Sequence, residues 1–340
     1  MPAATIRKSI EKKEFSPVYV LYGTEPFLIE EMKQAIVENA LDKEAFEFNF
    51  AQYDMEETPI ETAIEDAETL PFLGEYRVVI LKNPFFLTGK NEKKKIEHDL
   101  DRLERYIDDP SPSAILVFAA DYEKLDQRKK IVKKLKKTGE MMEFSTADEN
   151  AIYRMLRDRA ELEGAVFTRE ANERLLQLIG PHLYHLVSEV EKMALYVGEK
   201  GEITSDVVDL LCAKTLESNV FALVDKVVKN RLDEAFMILH DLLKQNEEPI
   251  KLLALLSRQF RIIFQVKQLK ESGYTQGQMA KRLRLHPYAV KIAAGQGRNF
   301  EKTGLLRILD KFTETDYAMK TGRMDKRLAL EILLADIRGS

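Results

Sequence analysis

The sequence predicts an α/β layered domain over residues 1–145, followed by an all-helical remainder. Three observations carry this expectation. Short apolar runs alternate with amphipathic patterns in the first part. Two of those runs are continuously apolar, as in strands covered on both faces of a parallel sheet. After Ser145 the strand signals stop, and capped 3.6-residue periodicity takes over.

In order, residues 17–22 (PVYVLY) form a β-rich run that ends at Gly23. Residues 46–50 (FEFNF) alternate aromatic and polar side chains with period two, which predicts a second strand. The continuous runs are 76–82 (YRVVILK) and 114–120 (AILVFAA), and 141–144 predicts a fifth strand. Helical patterns lie between them at 25–40, 59–70, 91–107 and 124–137. Ser145-Thr146-Ala147-Asp148 then offers helix caps, and helices are predicted at 148–163, 168–179, 181–197 and 204–213. Seven more follow at 219–229, 231–245, 248–271, 275–284, 286–296, 302–320 and 325–338. The predicted domains are 1–145, 146–213 and 214–340, with no internal repeat and no low-complexity linker.

Composition excludes several classes. The chain has 340 residues, 45% hydrophobic and 32% charged, which is ordinary for a soluble globular protein. No apolar run reaches the ~18 residues of a membrane span, and residues 1–9 show no secretion signal. The single cysteine, Cys212, cannot form an intrachain disulfide and reads as a small core residue. A cytoplasmic protein is expected. The net charge of −5 hides an asymmetry: residues 1–213 hold 29 basic and 42 acidic side chains, whereas 214–340 hold 23 and 15. A basic C-terminal part suits an acidic partner such as nucleic acid, or charge complementarity between domains or subunits.

Catalytic patterns are weak. A phosphate cradle after the first strand would need G-x-x-x-x-G-K-[ST], so that backbone N–H groups converge and a lysine meets the phosphates. Here only Gly23 is present, and Glu25 brings negative charge to that turn. The third strand ends in Lys82-Asn83, not in an acidic pair able to hold Mg²⁺. His182 and His185 have a spacing compatible with a metal, but no further His or Cys lies nearby, and they read as surface or interface histidines. No nucleotide hydrolysis, cofactor or metal is expected.

Leu70-Pro71-Phe72-Leu73-Gly74 is more informative. Ile60, Ala63, Ile64 and Ala67 mark the core face of the preceding helix, which Pro71 terminates. A helix-to-strand turn should be polar, yet this one carries Leu, Phe and Leu. They form either a hydrophobic staple folded onto the domain or an exposed apolar plug for a partner's pocket. Residues 124–137 hold eight basic side chains and one acid, Asp126, with Leu125, Ile131, Val132 and Leu135 as a thin apolar stripe. That pattern is a solvated face or a DNA-facing one.

The chain resembles the delta subunits of the bacterial DNA polymerase III clamp loader, in their low-GC Gram-positive form. The resemblance rests on PVYVLYGTEPFLIEE (17–31), LPFLGEYRVVILKN (70–83), LDQRKKIVKKLKK (125–137), NVFALVDKVVKNRLDEAFMILHDLL (219–243), EPIKLLALLSRQFRIIFQVKQL (248–269), LHPYAVKIAAGQGRNF (285–300) and ETDYAMKTGRMDKRLALEILL (314–334). It implies an AAA+-like α/β domain with a degenerate nucleotide site, a small helical lid and a helical collar. Where ATPase relatives carry a sensor arginine after the glycine corresponding to Gly180, this chain has Pro181-His182-Leu183-Tyr184.

The family implies a subunit of the DNA-directed DNA polymerase holoenzyme with no active site of its own. Its partners would be the sliding clamp (beta subunit), the loader ATPase subunits, a delta-prime-type subunit and primer-template DNA, at replication forks on the nucleoid and with no membrane. The clamp-binding positions correspond to Leu70, Phe72 and Leu73, and the resemblance thus favours the plug. Lys320, Arg323, Lys326 and Arg327 are candidates to face DNA. Two rival readings are an atypical nucleotide-dependent enzyme and a DNA-binding regulator with a degenerate AAA+ fold.

Overall fold

Strand residues that alternate between two apolar layers organise the first part of the chain. The computed structural model describes residues 3–89, 96–213 and 215–337. The chain divides into two units, Met1–Thr146 and Ala147–Ser340. The first contains α1 (Ala3–Glu11), β1 (Val18–Gly23), α2 (Pro26–Ala40), α3 (Lys43–Asn49), β2 (Phe50–Asp54), α4 (Ile60–Glu68), β3 (Arg77–Lys82), α5 (Leu100–Asp108), β4 (Ala114–Ala120), α6 (Lys130–Thr138) and β5 (Glu140–Phe144). Its five-stranded sheet is parallel, in the order β2-β3-β4-β1-β5.

The register pairs Val18 with Leu116 and Val79 with the same Leu116. Val18, Val20, Val79, Leu81, Leu116 and Phe118 pack with Ile64 of α4, Ile107 of α5 and Leu135 of α6. Their sequence neighbours Tyr19, Leu21, Val78, Ile80, Ile115 and Val117 pack with Ile10 of α1 and with Ile29 and Ile36 of α2. Both faces are covered, which is why these strands read as unbroken apolar runs.

Several expectations are corrected. Residues 46–50 were expected as a strand, but helix α3 runs through Asn49 and the strand starts at Phe50. The buried positions are Ala45 and Asn49, at i and i+4, while Phe46 and Phe48 are 41% and 52% exposed. Aromatic alternation there did not mark burial. The helix expected over 124–137 begins only at Lys130. Upstream, the Asp126 carboxylate accepts from the Arg128 N–H at 3.1 Å, a local turn that competes with helix, and Leu125 is buried from that turn.

The helix expected over 59–70 stops at Glu68, with Thr69 extended and its Oγ1 bonded back to the Glu65 carbonyl. A residue before proline avoids the α region, so the stop falls ahead of Pro71 itself. Of the helix expected over 91–107, residues 91–95 lie outside the described residues, and α5 starts at Leu100 under an Asp99 cap. Helix α1 carried no expectation at all.

The second unit contains α7 (Glu149–Leu162), β6 (Val166–Phe167), α8 (Arg169–Ile179), α9 (Leu183–Val197), β7 (Glu202–Ile203), α10 (Ser205–Leu211), α11 (Leu216–Val228), α12 (Leu232–Lys244), α13 (Pro249–Glu271), α14 (Gln276–Leu283), α15 (Pro287–Gln296), α16 (Lys302–Lys320) and α17 (Lys326–Ile337). The expected helices are present, and residue 338, the end of the last one, lies outside the described residues. Side chains of Asp148, Thr168, Thr204, Thr215 and Thr275 cap α7, α8, α10, α11 and α14, each by accepting a first-turn N–H.

The expectation that strands end at Ser145 is corrected by β6 and β7. They form a parallel pair of two residues each, too short to leave a periodic signature. Helices α11–α17 share one core that includes Leu256, Phe260, Ile263, Ile308, Phe312, Leu330 and Leu334. His286 accepts the Tyr288 N–H through Nδ1 at 3.1 Å, so Nε2 donates to the Ala147 carbonyl at 3.0 Å, joining α15 to the start of α7. Cys212 is buried after α10, and burial pushes its thiol up to about 11. Among the described residues no helix is long and apolar enough to cross a membrane.

Candidate protein-interaction site

The apolar residues after α4 form an exposed tip on a rigid base. Ile60, Ala63, Ile64 and Ala67 are buried and anchor α4 to the sheet. Past Thr69 the chain turns outward, leaving Leu70 78%, Phe72 58% and Leu73 67% exposed. A staple would bury these side chains against the domain, and here they face solvent.

The backbone beneath them is fixed. Asn49 Nδ2 donates to the Phe72 carbonyl at 2.6 Å, and Asn49 Oδ1 accepts the Phe72 N–H at 2.7 Å. Leu73 has φ +53, a left-handed conformation rare for a non-glycine residue. Gly74 lets the backbone pass close to Asn49, since a Cβ there would lie 3.2 Å from Asn49 Nδ2. The exposed ring of Phe48 meets Phe72 edge-to-face at 5.2 Å and extends the apolar surface. Sequence reasoning missed Asn49 and Phe48, and in Gly74 it saw only a tight turn ahead of the third strand. The strand reading of 46–50 hid the first two, whereas a helical reading would have exposed Asn49 as a buried polar residue four positions after Ala45.

The turn after β1, the counterpart of a phosphate cradle, is internally satisfied. The Thr24 and Glu25 N–H groups both donate to the Phe144 carbonyl, at 2.9 and 3.3 Å. Pro26 opens α2 and has no N–H to offer. Burial raises the Glu25 carboxyl above its ordinary value. At the end of β3, Asn83 Nδ2 donates to Asp54 Oδ2 at 2.9 Å. The exposed His182 and His185 rings lie 6.3 Å apart, and no group of three or more metal-ligating side chains occurs among the described residues.

The basic candidates flank the α16–α17 turn: Lys320 ends α16, Arg323 lies in the turn, and Lys326 and Arg327 open α17, all four exposed. Lys320 is paired with Asp316 at 2.8 Å, and the Arg323 guanidinium lies 4.9 Å from the centre of the Tyr317 ring. Lys326 and Arg327 stand in the first turn of α17, where the helix dipole disfavours cations. Asp325 offsets this by accepting the Arg327 and Leu328 N–H groups at 3.0 and 3.1 Å, and these bonds hold its carboxyl below the ordinary value. The basic run of α6 is partly neutralised by α5: Lys130 meets Glu104 at 2.6 Å and Lys134 meets Asp108 at 2.5 Å.

Comparison with known proteins agrees along the chain. Residues 19–145 match the family described as "DNA polymerase III, delta subunit", and residues 217–337 match "DNA polymerase III delta subunit, C-terminal domain". DNA polymerase III subunit delta of Bacillus subtilis (strain 168) is 44% identical over 330 residues, which cover 97% of this chain and 95% of that protein. The probable DNA polymerase III subunit delta of Aquifex aeolicus (strain VF5) is 26% identical over 260 residues, covering 75% and 72%. Among solved structures, the Bacillus subtilis DNA clamp loader delta protein matches with a TM-score of 0.82 at 44% identity, over 99% of each chain. A match that runs unbroken through both the α/β unit and the helical remainder leaves one assignment: the chain belongs to the delta-subunit family of the DNA polymerase III clamp loader.

Proposed function

We propose that this delta subunit binds the sliding clamp through Leu70, Phe72 and Leu73 and holds the ring open while primed DNA enters, without hydrolysing ATP itself. The observation that carries this reading is the exposure of three large apolar side chains on a backbone pinned from the domain interior. Exposed apolar clusters of this kind mark partner surfaces. A pre-ordered segment also loses little conformational freedom on binding. On this reading the loader ATPases and a delta-prime-type subunit complete the assembly. Residues 146–213 act as the lid and 214–340 as the collar that joins them. A sizing column decides the central point: the chain and the sliding clamp co-elute, and the Phe72→Ala/Leu73→Ala variant leaves the clamp behind.

The internally bonded turn after β1 supports a role without nucleotide. Its N–H groups are committed to Phe144, and no lysine stands in that turn. Equilibrium dialysis of the isolated chain with ATP should therefore show no saturable binding at micromolar concentration. Saturable binding that Thr24→Ala removes would overturn this part of the proposal.

Lys320, Arg323, Lys326 and Arg327 are proposed to face the DNA held by the assembled loader. Cations at the start of α17 work against the helix dipole, so their placement is better explained by an anionic partner than by stability. Each phosphate contact contributes about 0.9 to the slope of log affinity against log salt. The Lys320→Ala/Arg323→Ala loader should then show a slope flatter by roughly one unit per lost contact. An unchanged slope would assign these residues to bridges between neighbouring subunits.

A further inference from the structure

A segment that enters a partner's pocket works best when its side chains are held in one arrangement, and the structure shows what holds this one. Asn49, the last residue of α3, is 0% exposed. Both heteroatoms of its amide bond the Phe72 backbone, at 2.6 and 2.7 Å, across 23 positions of sequence. The same side chain lies under Gly74, where a Cβ would come within 3.2 Å of Nδ2 and 3.4 Å of Ala45 Cβ. Between these two contacts stands Leu73 with φ +53. Strained backbone of this kind persists only where its surroundings over-determine it.

Asn49 is itself held in place. Arg77 Nη1 donates to the carbonyl of the preceding Phe48 at 3.1 Å, and Arg77 Nε donates to Asp66 Oδ1 of α4 at 2.8 Å. Tyr53 donates to the other oxygen of Asp66 at 3.1 Å. One guanidinium thus ties the end of α3, next to Asn49, to the end of α4, from which the tip departs.

We infer that Asn49 is the positioning residue of the clamp-binding tip: by gripping Phe72 and abutting Gly74, it pre-orders residues 70–73 into the arrangement the clamp meets. This rests on the clamp-binding reading above. Without the grip the tip samples other arrangements, and apparent affinity falls in proportion to the fraction of time spent in the competent one.

The test uses the full chain and the sliding clamp. It measures Kd for the wild type, Asn49→Ala, Gly74→Ala, their double variant and Phe72→Ala/Leu73→Ala, with Phe72 amide exchange in the free protein as a second readout. Asn49→Ala should bind about tenfold more weakly, with its clamp-facing side chains intact and the Phe72 amide no longer protected. Gly74→Ala should also weaken binding, because its methyl group crowds Asn49 Nδ2. It should add nothing on the Asn49→Ala background, where that atom is gone. A loss of general stability would not produce this non-additivity.

Affinities within twofold of wild type for both single variants, with Phe72→Ala/Leu73→Ala still losing the clamp, overturn the inference and leave the clamp reading intact. Additive losses overturn it as well. Full affinity in Phe72→Ala/Leu73→Ala overturns the clamp reading and this inference with it. Should Asn49→Ala fail to fold, Gly74→Ala decides alone: weakened binding with altered Phe72 exchange supports the grip, and unchanged binding overturns it.

Discussion

Replacing Phe72 and Leu73 with Ala should weaken binding to the sliding clamp at least ~100-fold, or ~2.7 kcal/mol, while the chain stays folded. Burying a Leu or Phe side chain contributes ~1.5–3 kcal/mol. Leu70, Phe72 and Leu73 together therefore represent roughly 4.5–9 kcal/mol gross, before ordering and association costs. Micromolar binding corresponds to about 8 kcal/mol, so losing two of the three removes a dominant share. The fold should not notice, because these side chains are 58% and 67% exposed in the free protein and contribute little to its core. Isothermal titration with the clamp and thermal melting of the free chain separate the two outcomes. A variant that melts several degrees lower yet keeps its clamp affinity would mean that the residues serve the domain instead of a partner.

The second large effect is on stability. Gly23→Ala should destabilise the first unit by about 3 kcal/mol or more, combining backbone strain with overpacking. Gly23 has φ +148, and a Cβ there would stand 2.0 Å from the Phe144 carbonyl oxygen. That oxygen belongs to backbone at the end of β5 and accepts the Thr24 and Glu25 N–H groups, so it cannot step aside without losing both bonds. At ~2–4 °C per kcal/mol for a unit of this size, the lowest melting transition should fall by about 6–12 °C. An unchanged melt would show that the β1–β5 junction is soft. The one glycine in the position of a phosphate cradle is thus explained by close packing of two backbone segments.

Much of this was legible without coordinates. Strands β3 and β4 announced themselves because both of their faces are buried, which makes all of β4 and the interior of β3, Val78–Leu81, apolar. The helices beyond residue 147 were visible through periodicity and through the Asp148 cap, whose hydrogen bond reaches only three residues along the chain. Pro71 stopping α4, the apolar Leu70-Pro71-Phe72-Leu73 tip and the missing glycine-lysine pattern after β1 are also local facts, written in consecutive residues. The resemblance drawn from segments across the chain pointed to the family that comparison then showed.

Tertiary structure alone decided the rest. FEFNF is compatible with strand or helix. The choice depended on which side of α3 faces the sheet, and that placed Ala45 and Asn49 inside and Phe46 and Phe48 outside. Whether the tip folds back or stands free could not be read from its own residues, since Leu and Phe suit both. It was settled by Asn49 reaching Phe72 from 23 positions away and by Arg77 tying α3 to α4. The role of Gly23 likewise depended on Phe144, which parallel pairing of β1 with β5 brings beside it. Periodicity, capping and turn chemistry act over a few residues, so sequence alone determined most of the elements and the apolar tip, but not α1, α3 or the short β6–β7 pair. Contacts between distant segments depend on how the elements pack, and that packing fixed the tip's exposure and the residues that hold it.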